Sequence, residues 1–261
     1  MVGVMAARKS VRAFVSAAFV AMVVTALGVA APSAMAVRDG RDVAAGEAPF
    51  TVALMTADGV QLCGGTLVAP AKVLTAAHCV TAVDKPTDIR VVAGRVDYTA
   101  TGGQTRRVTA ARIHPKFDQG TLTYDAAVLT LNRPLPYRTL PIARAQDGAL
   151  YDVGRKAAVY GWGTLADGVP TTLMQRTTLV LSPVAACDPY TFPGDTAATK
   201  VCGLPPKANP NTSICRGDSG GPLVENGKLI GIVSSGNKYC GTEQPRSAFT
   251  RASAVVKGLD L

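Results

Sequence analysis

From residue 51 onward the apolar residues come in runs of three to five, each cut short by Gly, Pro or Asp. The runs fall at 51–55, 65–68, 89–93, 128–131, 157–160, 179–181 and 229–233. Stretches this short cannot give a helix a continuous buried stripe. Their β-branched content and turn-forming borders predict strands instead. A proline-rich crossing at 134–141 divides the series into two comparable halves. Hydrophobic residues make up 48% of the 261 and charged ones 17%, which suffices for a sizeable core and argues against disorder.

The N-terminus reads as an export signal. Arg8, Lys9 and Arg12 precede an apolar stretch at 13–31, which ends in Pro32 and the small-x-small triplet Ala34-Met35-Ala36. The stretch is long enough to span a bilayer, but the triplet predicts removal after Ala36, leaving no membrane segment. Without a twin arginine it reads as a general export signal. The formal charge of +9 includes those three leader cations, so +6 remains for the rest. This excess is spread out rather than gathered in a block, as on a solvated surface, and no nucleic-acid partner is expected.

Six cysteines in an exported chain predict three disulfides, for which the sequence alone permits 15 pairings. No Cys-x-x-Cys occurs and the two histidines are not at ligand spacing, so no metal site is expected.

Chemistry concentrates in Gly217-Asp218-Ser219-Gly220-Gly221-Pro222. Glycines on both sides of a serine allow backbone conformations that bring the N–H groups of Gly217 and Ser219 to one carbonyl oxygen. A serine hydroxyl needs a histidine base, and that base needs a carboxylate to fix its tautomer. His78, in Thr75-Ala76-Ala77-His78-Cys79, is the candidate base. His114, followed by Pro115, reads as a loop histidine capping its own turn. Asp125 opens the apolar run Ala126-Ala127-Val128-Leu129 and is the candidate carboxylate.

These three motifs, in the order His, Asp, Ser, resemble the chymotrypsin family of serine proteases. Cys63-Gly64-Gly65-Thr66-Leu67-Val68, Gly161-Trp162-Gly163 and Ser234-Ser235-Gly236 extend the resemblance, which spans residues 37 to about 251. It implies an all-β fold of two antiparallel six-stranded β-barrels, one at about 44–142 and the other at about 150–251, with the active site in the cleft between them. Residues 1–36 are then the signal peptide and 37–261 the protease domain. The implied disulfides are Cys63 with Cys79, Cys187 with Cys202 and Cys215 with Cys240.

The implied activity is that of a secreted, monomeric endopeptidase acting on proteins or peptides without a cofactor. Ser219 is the nucleophile, His78 the base and Asp125 its orienting partner, with the amides of Gly217 and Ser219 as oxyanion hole. Ser213, Ser234, Gly236 and Ser247 fall at the substrate-binding positions. A neutral Ser213 at the pocket base implies cleavage after apolar residues rather than Lys or Arg. Arg216 and Arg246 fall near the rim. Val37 corresponds to the family's mature N-terminus, whose ammonium pairs with Asp218. The loop at 95–108 lacks the glutamate pair of the family's calcium site, so none is expected, and the closing helix is expected to be short. Two other classes share these features: an esterase-type hydrolase with the same triad, and an inactive protease-like binding module.

Overall fold

The computed structural model describes residues 1–3, 40–165, 168–237, 240 and 243–261. It holds thirteen strands among these residues: β1 (Arg41–Asp42), β2 (Thr51–Met55), β3 (Gln61–Ala69), β4 (Lys72–Thr75), β5 (Arg90–Ala93), β6 (Gln104–Ile113), β7 (Ala127–Leu131), β8 (Lys156–Gly161), β9 (Gln175–Ser182), β10 (Lys200–Leu204), β11 (Pro222–Glu225), β12 (Lys228–Gly236) and β13 (Ser247–Arg251). Two short α-helices, α1 (Ala77–Thr81) and α2 (Ala252–Val255), complete the regular structure beside a few 3-10 turns.

All strand pairings are antiparallel, and they close into two barrels. The first runs in the order β2-β3-β4-β7-β6-β5. The second joins β8, β9, β10, β13, β12 and β11 into a ring, with β9 also pairing β8. Closure leaves neither barrel an unpaired edge of its own. Strand β1, which precedes the first barrel in sequence, pairs with β9 of the second and ties the two together.

Alternation explains which residues fill each barrel. In β9 every second residue is buried, so Thr177, Leu179 and Leu181 point inward. The second core gathers Val159, Leu179, Leu181, Leu223, Ile230 and Phe249. The first core, built on Leu54, Leu67, Leu74, Ile89 and Leu129, continues into the seam with Tyr160, Trp162 and Ile232 of the second barrel. The closing helix α2 is a single turn followed by a 3-10 turn, Lys257–Leu259, and it buries Ala252, Val255 and Leu259.

Three disulfides form, Cys63–Cys79, Cys187–Cys202 and Cys215–Cys240, as the resemblance implies. In the chain-entropy picture each loop of this size contributes about 3 kcal/mol. No helix among the described residues is long and apolar enough to cross a membrane.

Candidate active site

His78 is carried by α1, which the Cys63–Cys79 disulfide staples to β3. Ala76 and Ala77 before it are fully buried, so small side chains are what let the turn pack this closely. Asp125 lies just before β7, fully buried. Its Oδ1 accepts the backbone N–H of His78 at 2.9 Å, and its Oδ2 lies 2.7 Å from His78 Nδ1. The Ser234 hydroxyl donates to the same Oδ2 at 2.8 Å. A buried carboxylate is thereby satisfied by three donors, and the ring is held with Nε2 free for chemistry.

Ser219 arrives from the second barrel. Its carbonyl accepts the Gly64 N–H at 2.8 Å, which fastens the Ser219 loop to β3 across the seam. Gly64 approaches so closely that a Cβ there would sit 3.2 Å from the Gly221 Cα. Ser219 and His78 line one cavity of about 450 Å³, together with Ile214, Arg216, Ser234 and Gly236.

The amides of Gly217 and Ser219 are aimed by their neighbours' carbonyls. The Arg216 carbonyl accepts from Thr164 N–H at 2.8 Å, and the Asp218 carbonyl from Gly221 N–H at 2.9 Å. In a trans peptide the N–H points opposite to the C=O, so each anchored carbonyl turns the following N–H the other way. Neither amide donates to a protein acceptor among the described residues. Gly217 has φ +99°, a conformation closed to side chains, and Gln61 Nε2 holds its carbonyl at 3.0 Å.

Asp218 points inward and is fully buried. Its carboxylate accepts N–H bonds from Gly163 and Cys215, both at 2.8 Å. Desolvation outweighs those bonds and pushes its pKa up to about 7. A methyl group on Gly161 or Gly163 would land on this carboxylate, which explains the glycines flanking Trp162. Val37, the expected partner, lies outside the described residues.

Of the substrate-binding candidates, Ser234 and Gly236 line the cavity. Ser213 and Ser247 are fully buried and do not reach its surface. Ser247 Oγ instead accepts the Ile214 N–H at 3.1 Å, and it is the Ile214 side that forms the wall. Arg216 lies exposed on the rim, while Arg246 donates to the Asp188 carbonyl. Gln61, which holds the Gly217 carbonyl, carries no signal of its own in the sequence, and the Gly161-Trp162-Gly163 motif does not disclose that Gly163 donates to Asp218. Their roles arise from partners 156 and 55 residues away.

His114 is buried and accepts the Lys116 N–H at Nδ1, 3.2 Å away, closing its own turn as expected. Burial, then Lys116 and Arg112, lower its pKa. Cys63, His78 and Cys79 lie close enough to suit a metal, but both sulfurs are spent in their disulfide and offer no thiolate. In the loop after β5, Arg95 donates to the carbonyls of Gly102 and Tyr98.

The family model described as Trypsin matches residues 37–258. A trypsin of Saccharopolyspora erythraea is 39% identical over 198 residues, 76% of this chain and 85% of the relative. The vitellin-degrading protease of Bombyx mori is 32% identical over 225 residues, covering 85% of this chain and 83% of the relative. Among solved structures, human heparin binding protein superposes with a TM-score of 0.70 at 25% identity, covering 83% of this chain and 92% of that one. With two closed antiparallel barrels and this extent of similarity, the chain belongs to the trypsin family and is a serine endopeptidase.

Proposed function

We propose that the protein is a secreted, monomeric endopeptidase that cleaves proteins or peptides after apolar residues, with residues 1–36 as export signal and 37–261 as the protease domain. One observation carries the reading: a histidine held at Nδ1 by a buried carboxylate shares a cavity with a serine flanked by two unengaged amides.

Ser219 Oγ attacks the scissile carbonyl while His78 Nε2 takes its proton, and the carbonyl π electrons move to the oxygen. Asp125 stabilises the imidazolium so formed, and the amides of Gly217 and Ser219 hold the oxyanion. As the tetrahedral species collapses, His78 passes the proton to the departing amine. Water then repeats the sequence on the acyl-enzyme, releasing the acid and restoring Ser219. Each oxyanion donor contributes about 2.7–4 kcal/mol to lowering the barrier.

The cavity lining supports the apolar reading. Among the described residues it holds no carboxylate, and Ile214 supplies an apolar wall. A substrate Lys or Arg would lose its hydration there without a counter-charge, a penalty of several kcal/mol. The arginine at the rim, Arg216, favours acidic substrate residues nearby.

Asp218 supports a role for the N-terminus. A buried carboxylate with two N–H partners has room for a cation, and the ammonium of Val37, freed by signal cleavage after Ala36, is the candidate.

The test is labelling by a serine-directed fluorophosphonate together with casein hydrolysis. Labelling at Ser219 and casein cleavage, both lost in Ser219→Ala, are expected. Label without casein cleavage, but with turnover of small esters, would favour the esterase reading. No label and no turnover by the mature form would leave a binding module.

A further inference from the structure

Strand β10 sends consecutive side chains in opposite directions. Val201 enters the second barrel's core, and Lys200 faces the other way, towards the first barrel. Only 1% of Lys200 is exposed, which places it among the largest side chains buried so deeply. An ammonium in such a place is costly unless it is bonded and paired. Desolvation lowers its pKa, and Asp195 and Asp125 pull it back up.

Its Nζ donates to the Leu122 carbonyl at 2.7 Å, across 78 residues of sequence. Leu122 and Tyr124 both have φ +51°, in the left-handed region that residues with a Cβ avoid, and Asp125 follows directly. Each such residue costs about 1–3 kcal/mol and persists only where its surroundings hold it. The His114 ring, stacked on Tyr124 at 4.7 Å and 4°, holds one of the two. Lys200 holds the other.

We propose that Lys200 is a positioning residue of the protease reaction: from the second barrel it fixes the turn that delivers Asp125 to His78 on the first. This rests on the assignment of His78, Asp125 and Ser219 made above. A methionine of the same length would fill the space, so what the lysine adds is the hold on the Leu122 carbonyl and a positive charge near Asp125. Loosening that turn lets the carboxylate drift from His78, which affects the chemical step and leaves the substrate cavity alone.

The experiment measures kcat and KM of the mature enzyme, Lys200→Met and Lys200→Arg on a peptide substrate, with active sites counted by the end point of fluorophosphonate titration. Lys200→Met should lose about ten-fold or more in kcat per titrated site. Its KM should stay within about two-fold of the parent's. Lys200→Arg, which keeps charge and donors, should recover most of the loss. Parent-like turnover per site in Lys200→Met would overturn the proposal, and so would a loss of equal size in Lys200→Arg. If Lys200→Met yields no titratable sites, Lys200→Gln is read by the same criteria. Failure of both to fold assigns Lys200 to stability alone and also overturns it. A parent that takes no label would instead sink the triad assignment.

Discussion

The Asp125 carboxylate meets His78 twice, at the backbone N–H through Oδ1 (2.9 Å) and at ring Nδ1 through Oδ2 (2.7 Å). Two-point contact fixes both the position of α1 and the rotation of the ring. It also makes the tautomer depend on one oxygen. Asp125→Asn should place an amide N–H opposite Nδ1, moving the ring proton to Nε2 and blocking proton abstraction from Ser219. A fall of about 10⁴-fold in kcat is expected with the fold retained. Steady-state kinetics and circular dichroism of the variant check this, and a loss below about ten-fold would exclude the assigned role.

Ser234 donates to the oxygen that His78 Nδ1 shares. Ser234→Ala removes a hydrogen bond to a buried charge, so a loss of about 1.5–3 kcal/mol is expected. Chemical denaturation reads the difference directly. An unchanged midpoint would mean that the hydroxyl contributes nothing net to holding the carboxylate.

The buried carboxylate of Asp218 makes a pH prediction. In a form with an extra residue before Val37, no ammonium reaches Asp218, whose pKa is raised from 3.8 to about 7. A folded-state pKa above the unfolded value means that the folded form holds the proton more tightly. This contribution to stability is fully present below about pH 3.8 and is lost as pH rises through about 7. The extended form should therefore lose Tm across that window more steeply than the form beginning at Val37, and should be weakly active until trimmed. Parallel Tm profiles and equal activity would remove the Val37–Asp218 pair.

Gly163→Ala should be among the more damaging single-methyl changes, because its Cβ would land on the Asp218 carboxylate. The carboxylate would have to move, and the Ser219 amide next to it would move too. Lower stability together with lower kcat is expected, whereas Gly148→Ala, whose Cβ meets nothing within 4 Å and whose backbone is not in the left-handed region, should leave kcat unchanged. Equal kcat in both variants would separate Asp218 from the oxyanion amides.

Specificity is checked by profiling a mixed peptide library. Cleavage after Leu, Phe, Tyr and Met should dominate, since Ile214 lines a cavity with no carboxylate among its described residues. A profile dominated by Lys or Arg would reject the apolar reading.

The sequence by itself determined the strands whose residues are apolar in unbroken runs, and the motifs around His78, Asp125 and Ser219 that the fold brings to one cleft. It did not disclose β6, where Arg106, Arg107 and Arg112 stand among exposed positions, nor β10, which opens on a buried lysine. Short apolar runs report burial on both faces of a strand, whereas a strand with one wet face, or one crossing an interface, carries no such run. In the same way the resemblance puts Ser213 at the pocket base with Ile214 beside it, but does not disclose that Ser213 is fully buried while Ile214 lines the cavity. Only the tertiary structure decided that, together with the roles of Gly163, Gln61 and Lys200. Their partners lie 55, 156 and 78 residues away, and such contacts depend on how two closed barrels pack. Local periodicity cannot encode that, because it records which residues are buried and not what they are buried against.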